Sequence, residues 1–469
     1  MEFHVSLAGR GDLSARIYRQ LHEAVVDGRL RSGEKLPPTR ELARRLAVSR
    51  NTVALAYERL TAEGFLVGRV GAGTFVCANP PAPAPATATG PGAVPPRPVW
   101  RGLATPRAST RRPPYDFGVG VPDTSRFPMA AWRRQVARQL RDVTAADTLY
   151  GDPAGHPGLR AEIARHVGLS RSVRVSAEQV LVTNGTQQAL DLVARVLLAP
   201  GDRVAVEEPG YPPARELFAS HGARLAGVPV DAEGVVVQAL PVDTRLVYTT
   251  PSHQFPLGPP MSLDRRTALL EWARDAGAVI VEDDYDSEFR FADRPLEPLH
   301  SLDRGDRVLY VGSFSKTMLP MLRLGFLVAP PSLLDALRAA KRLADLQSET
   351  TNQGAMAGFM ADGLFVRHLR RVTREYAARR TMILTVLRRD FADRLEVVPS
   401  TAGLHLAAWP TGDVDVTALV ERAAAAGVGV ADLAEYHGFG PGRPGIALGY
   451  GRIDLDRIEE GLRLLDEVW

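Results

Sequence analysis

Lysine is scarce in this chain. Of its 57 cationic side chains only Lys35, Lys316 and Lys341 are lysines, and the others are arginines. Arginine stays protonated and cannot attack as an amine, whereas a lysine desolvated beside hydroxyls can lose its proton and form a Schiff base with an aldehyde. Lys316 sits in Tyr310-Val-Gly-Ser-Phe-Ser-Lys-Thr-Met-Leu-Pro-Met-Leu-Arg-Leu-Gly-Phe-Leu-Val-Ala329, with Ser313 and Ser315 just before it and Arg323 seven residues after it. Two hydroxyls and a guanidinium suit a phosphate. A reactive amine beside a phosphate site points to pyridoxal phosphate; a solvated lysine in a serine-rich turn is the plain alternative.

Other residues have matching chemistry. In the acidic cluster Glu282-Asp-Asp-Tyr-Asp286, Asp283 suits a carboxylate that keeps a pyridine nitrogen protonated and makes the ring an electron sink. Tyr211 can stack on such a ring, and Tyr285 can donate to its phenolic oxygen or to the aldimine region. Gly185, Thr186 and Gln187 open a helix whose amides can face an anion. The alternatives are a divalent metal site at the acidic cluster and a core role for Tyr211. No second cluster of histidines or carboxylates stands beside the acidic one in sequence, so no metal ligand is named.

These residues need a sheet to bring them together. Val180–Thr183, Arg203 onward to Tyr211, Leu246–Thr250 and Ala278–Val281 read as apolar strands, with a helix from about Ser262 to Asp275 between the last two. Strands alternating with helices predict an α/β body with a largely parallel sheet, and ligands sit beyond the C-terminal ends of such strands. Lys316, Asp283, Tyr211 and Gly185 all fall at such ends.

The front of the chain reads differently. Leu13, Ile17, Leu21 and Val25 lie four apart, along one helical face. Thr39 as N-cap starts a second helix with Leu42, Ala43 and Leu46 inward, and Ser49 caps a third carrying Val53, Tyr57 and Leu60. Strands Phe65–Val67 and Thr74–Val76 flank the turn Gly68-Arg-Val-Gly-Ala-Gly73, a wing that includes Gly71. A helix-turn-helix of this kind would place Arg50, Asn51 and Thr52 in a major groove, with Arg40 and Arg69 reaching phosphates or a minor groove. Charge agrees: residues 1–76 hold twelve Lys/Arg against eight Asp/Glu, and residues 77–114 hold five arginines and no acid. With +3 overall, the remaining 355 residues carry −6. A basic front on an acidic body points to an anionic partner for the front.

The expected organisation is a DNA-binding domain at 1–76, a Pro/Ala-rich linker at 77–114 and an effector body at 115–469. The linker, with Asn79-Pro-Pro-Ala-Pro-Ala-Pro-Ala at its start, cannot form a core and acts as a spacer. Its length would let each front domain lie over the other subunit of a dimer. Cys77 is the only cysteine, which excludes an intrachain disulfide. No long apolar run or signal peptide is present, so a cytoplasmic, membrane-free protein is expected.

Gly33-Glu-Lys-Leu-Pro-Pro-Thr-Arg-Glu-Leu-Ala43 followed by Leu46-Ala-Val-Ser-Arg-Asn-Thr-Val53 resembles the winged helix of the GntR superfamily, with Pro38 where most members have serine. The body resembles a fold-type I aminotransferase, and the whole chain resembles the MocR family of transcriptional regulators. The resemblance implies that Lys316 is the Schiff-base lysine, Asp283 the partner of the pyridine nitrogen and Arg323 a phosphate ligand. It further implies that Tyr150, in Tyr-Gly-Asp-Pro-Ala-Gly155, reaches a neighbouring subunit's phosphate, and hence a homodimer with shared sites, head-to-tail and domain-swapped if each front domain docks on the partner's body. Two departures stand out. Where catalytic relatives have Asn-Pro-Thr-Gly this chain has Phe255-Pro-Leu-Gly258, leaving His253 or Gln254 to replace the lost asparagine. Where they carry an arginine for the substrate carboxylate this chain has Ala447, with Arg443 on the preceding turn as a substitute. The expectation is therefore a regulator whose binding to operator DNA responds to pyridoxal phosphate itself, as in a PdxR-like branch controlling vitamin B6 synthesis, or to an amino compound. The alternatives are an active aminotransferase with an attached DNA-binding module, and a body that only dimerises.

Overall fold

A computed structural model describes residues 12–78, 94–101, 103, 112–142, 149–291 and 297–469. The proline-rich centre of the expected linker, residues 79–93, and residues 104–111 lie outside the described residues. The chain divides into two units, Met1–Pro96 and Arg97–Trp469.

In the first unit three helices, Leu13–Val26, Thr39–Leu46 and Arg50–Ala62, precede an antiparallel pair of strands, Leu66–Arg69 and Gly73–Val76. Ile17, Leu21, Val25, Leu42, Val53, Tyr57 and Leu60 form one core with Phe65, Leu66 and Val76. Leu13, expected on that face, is 38 % exposed at the start of its helix. The second helix is capped by Pro38 rather than Thr39, with no side-chain cap bond, since Thr39 already belongs to its first turn. Ser49 does cap the third helix, its hydroxyl accepting from the Thr52 amide at 3.1 Å.

In the second unit an eight-stranded sheet runs Val180–Thr183, Gly325–Val328, Val308–Ser313, Val279–Asp284, Thr244–Thr249, Arg203–Glu208, Arg224–Asp231 and Gly234–Val235. The five strands from Val308–Ser313 to Arg224–Asp231 are parallel to one another. Gly325–Val328 runs against both its neighbours, so the expected parallel sheet carries one reversed strand within it and a short hairpin at its far edge. Within the sheet, Gly325–Val328 and Val308–Ser313 are buried end to end and Val279–Asp284 at every residue but the first, as runs covered on both faces by helices must be. Thr186–Leu197 packs Ala189, Leu190 and Val193 into the core on one face, and Leu263–Ala276 packs Leu269 and Ala273 into the core on the other.

A second, antiparallel sheet follows the 27-residue helix Leu364–Asp390 and is ordered Leu395–Val397, His405–Pro410, Ile446–Gly449, Ala431–Asp432. Its core joins Tyr376, Ile383 and Leu387 of that helix to Leu406, Leu448 and Leu462. The stretch Pro98–Trp100, assigned to the linker by composition, forms a 3-10 turn beside the helix Pro212–Ser220. Among the described residues no helix is long and apolar enough to cross a membrane.

The Ser49 cap offers a direct check of the first unit. Ser49→Ala should cost about 1 kcal/mol and speed amide exchange in the Arg50–Ala62 helix about fivefold in the full chain. Exchange in the large sheet should stay unchanged.

Candidate functional site

Parallel register sets the geometry of the larger unit's site. Val311 lies opposite Asp283, and Val281 opposite Tyr248, so the ends of three adjacent strands deliver Tyr248, Asp283 and the Ser313–Lys316 turn to one place. They enclose a cavity of about 200 Å³. Lys316, Asp283, Tyr285 and Tyr211 line it, and so do Ser313, Ser315, Thr186, Gln187 and Arg323. Four further lining residues, Gly120, Tyr248, Thr250 and Pro320, have no role in the sequence reading.

Asp283 is 3 % exposed. One of its oxygens accepts from the Tyr248 hydroxyl at 2.7 Å, and the other, Oδ1, has no partner. Burial pushes its carboxyl up to about 7, with Asp284 and Asp286 acting in the same direction and the Tyr248 bond and Lys316 opposing. Lys316 donates to the Gly120 carbonyl across 196 residues of sequence. Burial lowers its proton affinity, against the pull of Asp286 and Asp283. The other two lysines are occupied elsewhere. Lys341 is buried against Asp345 at 2.7 Å, and Lys35 lies over the Phe75 ring.

At the opposite wall Arg323 adopts a left-handed backbone, φ 52°, and donates to the Asn184 carbonyl at 2.9 Å. Gly185, the N-cap of Thr186–Leu197, lies just behind the lining, with φ 80°. A Cβ there would stand 2.9 Å from the Arg323 guanidinium, and one on Gly325 would stand 2.8 Å from Gly185 Cα. Two glycines thus let the guanidinium lie against a helix N-terminus, a cradle for an anion. The Ser313 hydroxyl accepts from the Ser315 amide at 3.1 Å, which fixes the turn before Lys316. An unpartnered buried carboxylate oxygen, an amine of lowered proton affinity and an anion cradle in one cavity fit a phosphorylated pyridine aldehyde.

Other expected residues fall outside the lining. Tyr150 is 81 % exposed. His253, 1 % exposed, lies behind Tyr285 with its Nδ1 2.8 Å from the tyrosine hydroxyl. Gln254 does not take the asparagine's place: its amide donates to the Pro209 and Phe255 carbonyls at 2.9 and 2.7 Å and holds the turn. Phe255 itself lines the cavity, edge-on to Tyr211 at 5.5 Å. Arg443 does not replace the carboxylate arginine either, since it lies over Trp409 at 4.6 Å and 3.4 Å from Glu396. Ala447 is fully buried in an apolar cluster with Leu257, Val398, Ala407 and Leu433. Arg323 is the one arginine that lines the cavity among the described residues. The fold also brings His253 and His405 to Asp286, with ligand-capable atoms within 4.8 Å of one another, a gathering that the linear sequence hides.

In the first unit Arg50 and Asn51 are exposed on the first turn of Arg50–Ala62, and Arg40 is exposed on the first turn of Thr39–Leu46. Thr52 is less free, because its hydroxyl lies 2.7 Å from that of Ser49. Arg69 stacks over Phe75 at 4.9 Å, and Gly71, φ 75°, sits at the exposed tip of the wing.

Comparisons with known proteins agree with both units. Residues 13–76 match the bacterial regulatory proteins of the gntR family, and residues 113–429 match the aminotransferases of class I and II. The chain is 38 % identical to the probable rhizopine catabolism regulatory protein MocR of Rhizobium meliloti, over 96 % of this chain and 92 % of that protein. It is 33 % identical to the pyridoxine biosynthesis transcriptional regulator PdxR of Corynebacterium glutamicum, over 95 % and 93 %. Among solved structures it resembles LysN, the α-aminoadipate aminotransferase of Thermus thermophilus complexed with N-(5'-phosphopyridoxyl)-L-leucine. That match has a TM-score of 0.68 and 32 % identity, over 75 % of this chain and 91 % of that one.

Asp283 gives this site a pH signature. Its folded value, about 7, lies above the ordinary 3.8, so its contribution to stability is complete below about 3.8 and is lost as pH rises through about 7. Thermal unfolding of the cofactor-free chain between about pH 4 and 7, the interval between those two values, should therefore show Asp283→Asn falling less steeply with pH than the parent. The chain belongs to the MocR family of transcriptional regulators, in which a GntR-type winged helix precedes a domain of the class I and II aminotransferase fold.

Proposed function

We propose that this regulator binds operator DNA through its winged helix and that the occupancy of the larger unit's cavity by pyridoxal 5'-phosphate sets that binding. The single observation that carries the reading is the unbalanced cavity. It keeps an amine and a partnerless buried carboxylate, yet among the described residues its one arginine is Arg323 in the anion cradle, and the position that the resemblance gives to a carboxylate-binding arginine is Ala447, buried in an apolar cluster outside the lining. When bound, the cofactor supplies an aldehyde that an amine can capture and a pyridine ring that withdraws electrons once its nitrogen is protonated.

The chain's own groups then divide the work. Lys316, losing its proton more readily than a solvated lysine, is the nucleophile. Asp283 Oδ1 accepts from the ring nitrogen, and the Tyr248 bond holds that carboxylate in place. Thr186, Gln187, Ser313, Ser315 and Arg323, with Gly185 giving them room, take the phosphate. Tyr211 and Phe255 exclude water from the ring, and Tyr285 donates to its oxygen. Because no second arginine lines the cavity among the described residues, α-carboxylates gain no ion pair there. The effector is the cofactor itself or an amine lacking a carboxylate, which accords with a role in vitamin B6 supply and with the likeness to PdxR.

Tyr150, exposed on its own chain, suits contact with the phosphate of a partner subunit, and we place the working form as a head-to-tail homodimer in the cytoplasm. Arg50 and Asn51 would read a major groove, with Arg40, Arg69 and the wing at Gly71 on the backbone and Thr52 supporting the helix start.

In the full chain, pyridoxal 5'-phosphate should change operator affinity about tenfold or more, the lower end of an ordinary coupling between two sites. Lys316→Ala should remove most of that response while leaving cofactor-free DNA binding intact. Challenging the loaded protein with a panel of amino acids should leave its absorption spectrum unchanged over minutes; rapid conversion by any of them would favour the aminotransferase reading. An operator affinity unaffected by the cofactor would remove the sensing claim.

A further inference from the structure

Behind the cavity wall lie two side chains, His253 and Asp286, that the reading above leaves without a role, and they continue a chain that starts at Tyr285. Tyr285 lines the cavity, and its hydroxyl lies 2.8 Å from His253 Nδ1. The same Nδ1 lies 3.1 Å from both oxygens of Asp286. His253 and Asp286 are each 1 % exposed, so water cannot arbitrate between them. The imidazole is clamped as well: a Cβ on Gly403 would come within 1.9 Å of its Cε1, and the His405 ring stands 4.8 Å away. His405 donates from Nε2 to the Pro256 carbonyl at 2.8 Å, which fixes its own tautomer.

One nitrogen faces two partners and carries at most one proton. If Nδ1 offers a lone pair, it can accept from the Tyr285 hydroxyl, and Asp286 is left a buried charge beside another electron pair. If Nδ1 carries the proton, it satisfies Asp286, and the Tyr285 hydroxyl can meet it only with its oxygen, so that the phenolic proton must point elsewhere. A buried carboxylate without a donor is the costlier state, so Asp286 selects the second arrangement. The open side of Tyr285 is the cavity.

We propose that Asp286 and His253 form a positioning pair that turns the Tyr285 hydroxyl outward as a fixed donor into the cavity. On the reading that this cavity holds pyridoxal 5'-phosphate, the donor serves the ring oxygen, the contact that an asparagine at position 255 would supply and that Phe255 cannot. His253 thus compensates for the asparagine without touching the cofactor. This accounts for a buried histidine outside the lining, and for the carboxylate Asp286 behind it, three residues after Asp283.

A donor lowers the proton affinity of the oxygen it serves and of groups conjugated to it, so losing it raises the apparent pKa of the bound chromophore. The test is the absorbance of the cofactor-loaded full chain titrated with pH, for the parent, Tyr285→Phe, Asp286→Asn, His253→Gln and the paired variants. Asp286 also acts through charge on Lys316, but that part is the same with and without the tyrosine hydroxyl and cancels in a double-mutant cycle. The other titratable neighbours, His405, Asp283, Glu207 and Tyr450, stay constant across the set.

Tyr285→Phe should raise the chromophore's apparent pKa by about one unit, a tenfold change in proton affinity. Asp286→Asn and His253→Gln should each couple to it by a similar amount, so that neither adds the same increment once the hydroxyl is gone. Zero coupling, with strictly additive shifts, would overturn the positioning role and leave the cofactor reading intact. Failure of the parent chain to bind the cofactor at all would overturn the cofactor reading, and the proposal with it.

Discussion

The structure depends on an electrostatic imbalance at the end of its central strands. Asp283 is buried with one oxygen unserved, and Lys316 faces the same cavity with its proton affinity lowered by burial. Buried polar atoms without partners are costly, so their persistence marks a place completed by something else. Much of the surrounding fold maintains this imbalance. The reversed strand Gly325–Val328 sets Arg323 against the Asn184–Gly185 turn, and the parallel register of Val279–Asp284 with Val308–Ser313 sets Asp283 beside the turn that carries Lys316. Tyr248, one strand further, anchors the carboxylate so that its other oxygen stays directed into the cavity.

One wall of the cavity is aromatic. Phe255, which lines it, meets Tyr211, Tyr285, His405 and Tyr436 edge-on at 5.1–5.8 Å, and Ala447 lies outside the lining within an aliphatic cluster. An aminotransferase must grip and release a carboxylate at every turnover; a sensor needs only to bind and to change shape or mobility. Among the described residues the groups that fit the cofactor line the cavity while no arginine besides Arg323 does, and the chain joins this body to a helix-turn-helix whose exposed first turn carries Arg50 and Asn51. The Asp286–His253–Tyr285 chain extends the same logic, because a structural change at Phe255 is answered by groups one layer deeper.

Local patterns made much of this legible in the sequence. Val180–Thr183 forms the strand its apolar run indicates, and Ser49 caps the helix its type indicates, because both signals act within a few residues. Nine of the residues singled out by type and spacing line one cavity, since strand ends in an α/β sheet converge wherever the helices between them place them. What escaped depends on contacts far apart in sequence. Gly120 meets Lys316 through its backbone carbonyl, which no side-chain pattern announces, and Tyr248 sits inside an apolar strand where it reads as core. His253, His405 and Asp286 come from three separate segments, so a reading of linear clusters finds only the carboxylates. The exposed Leu13 and the cap at Pro38 differ from expectation by less than one helical turn, the ordinary ambiguity of where a helix begins.

The scarcity of lysine makes the central claim open to one decisive measurement. The full chain, loaded with pyridoxal 5'-phosphate, is reduced with borohydride and digested, and the peptides carrying the added phosphopyridoxyl mass are identified. With only Lys35, Lys316 and Lys341 available, the account predicts the mass on Lys316 at close to one per chain. A chain that carries it on Lys35 or Lys341, or on no lysine, would contradict it.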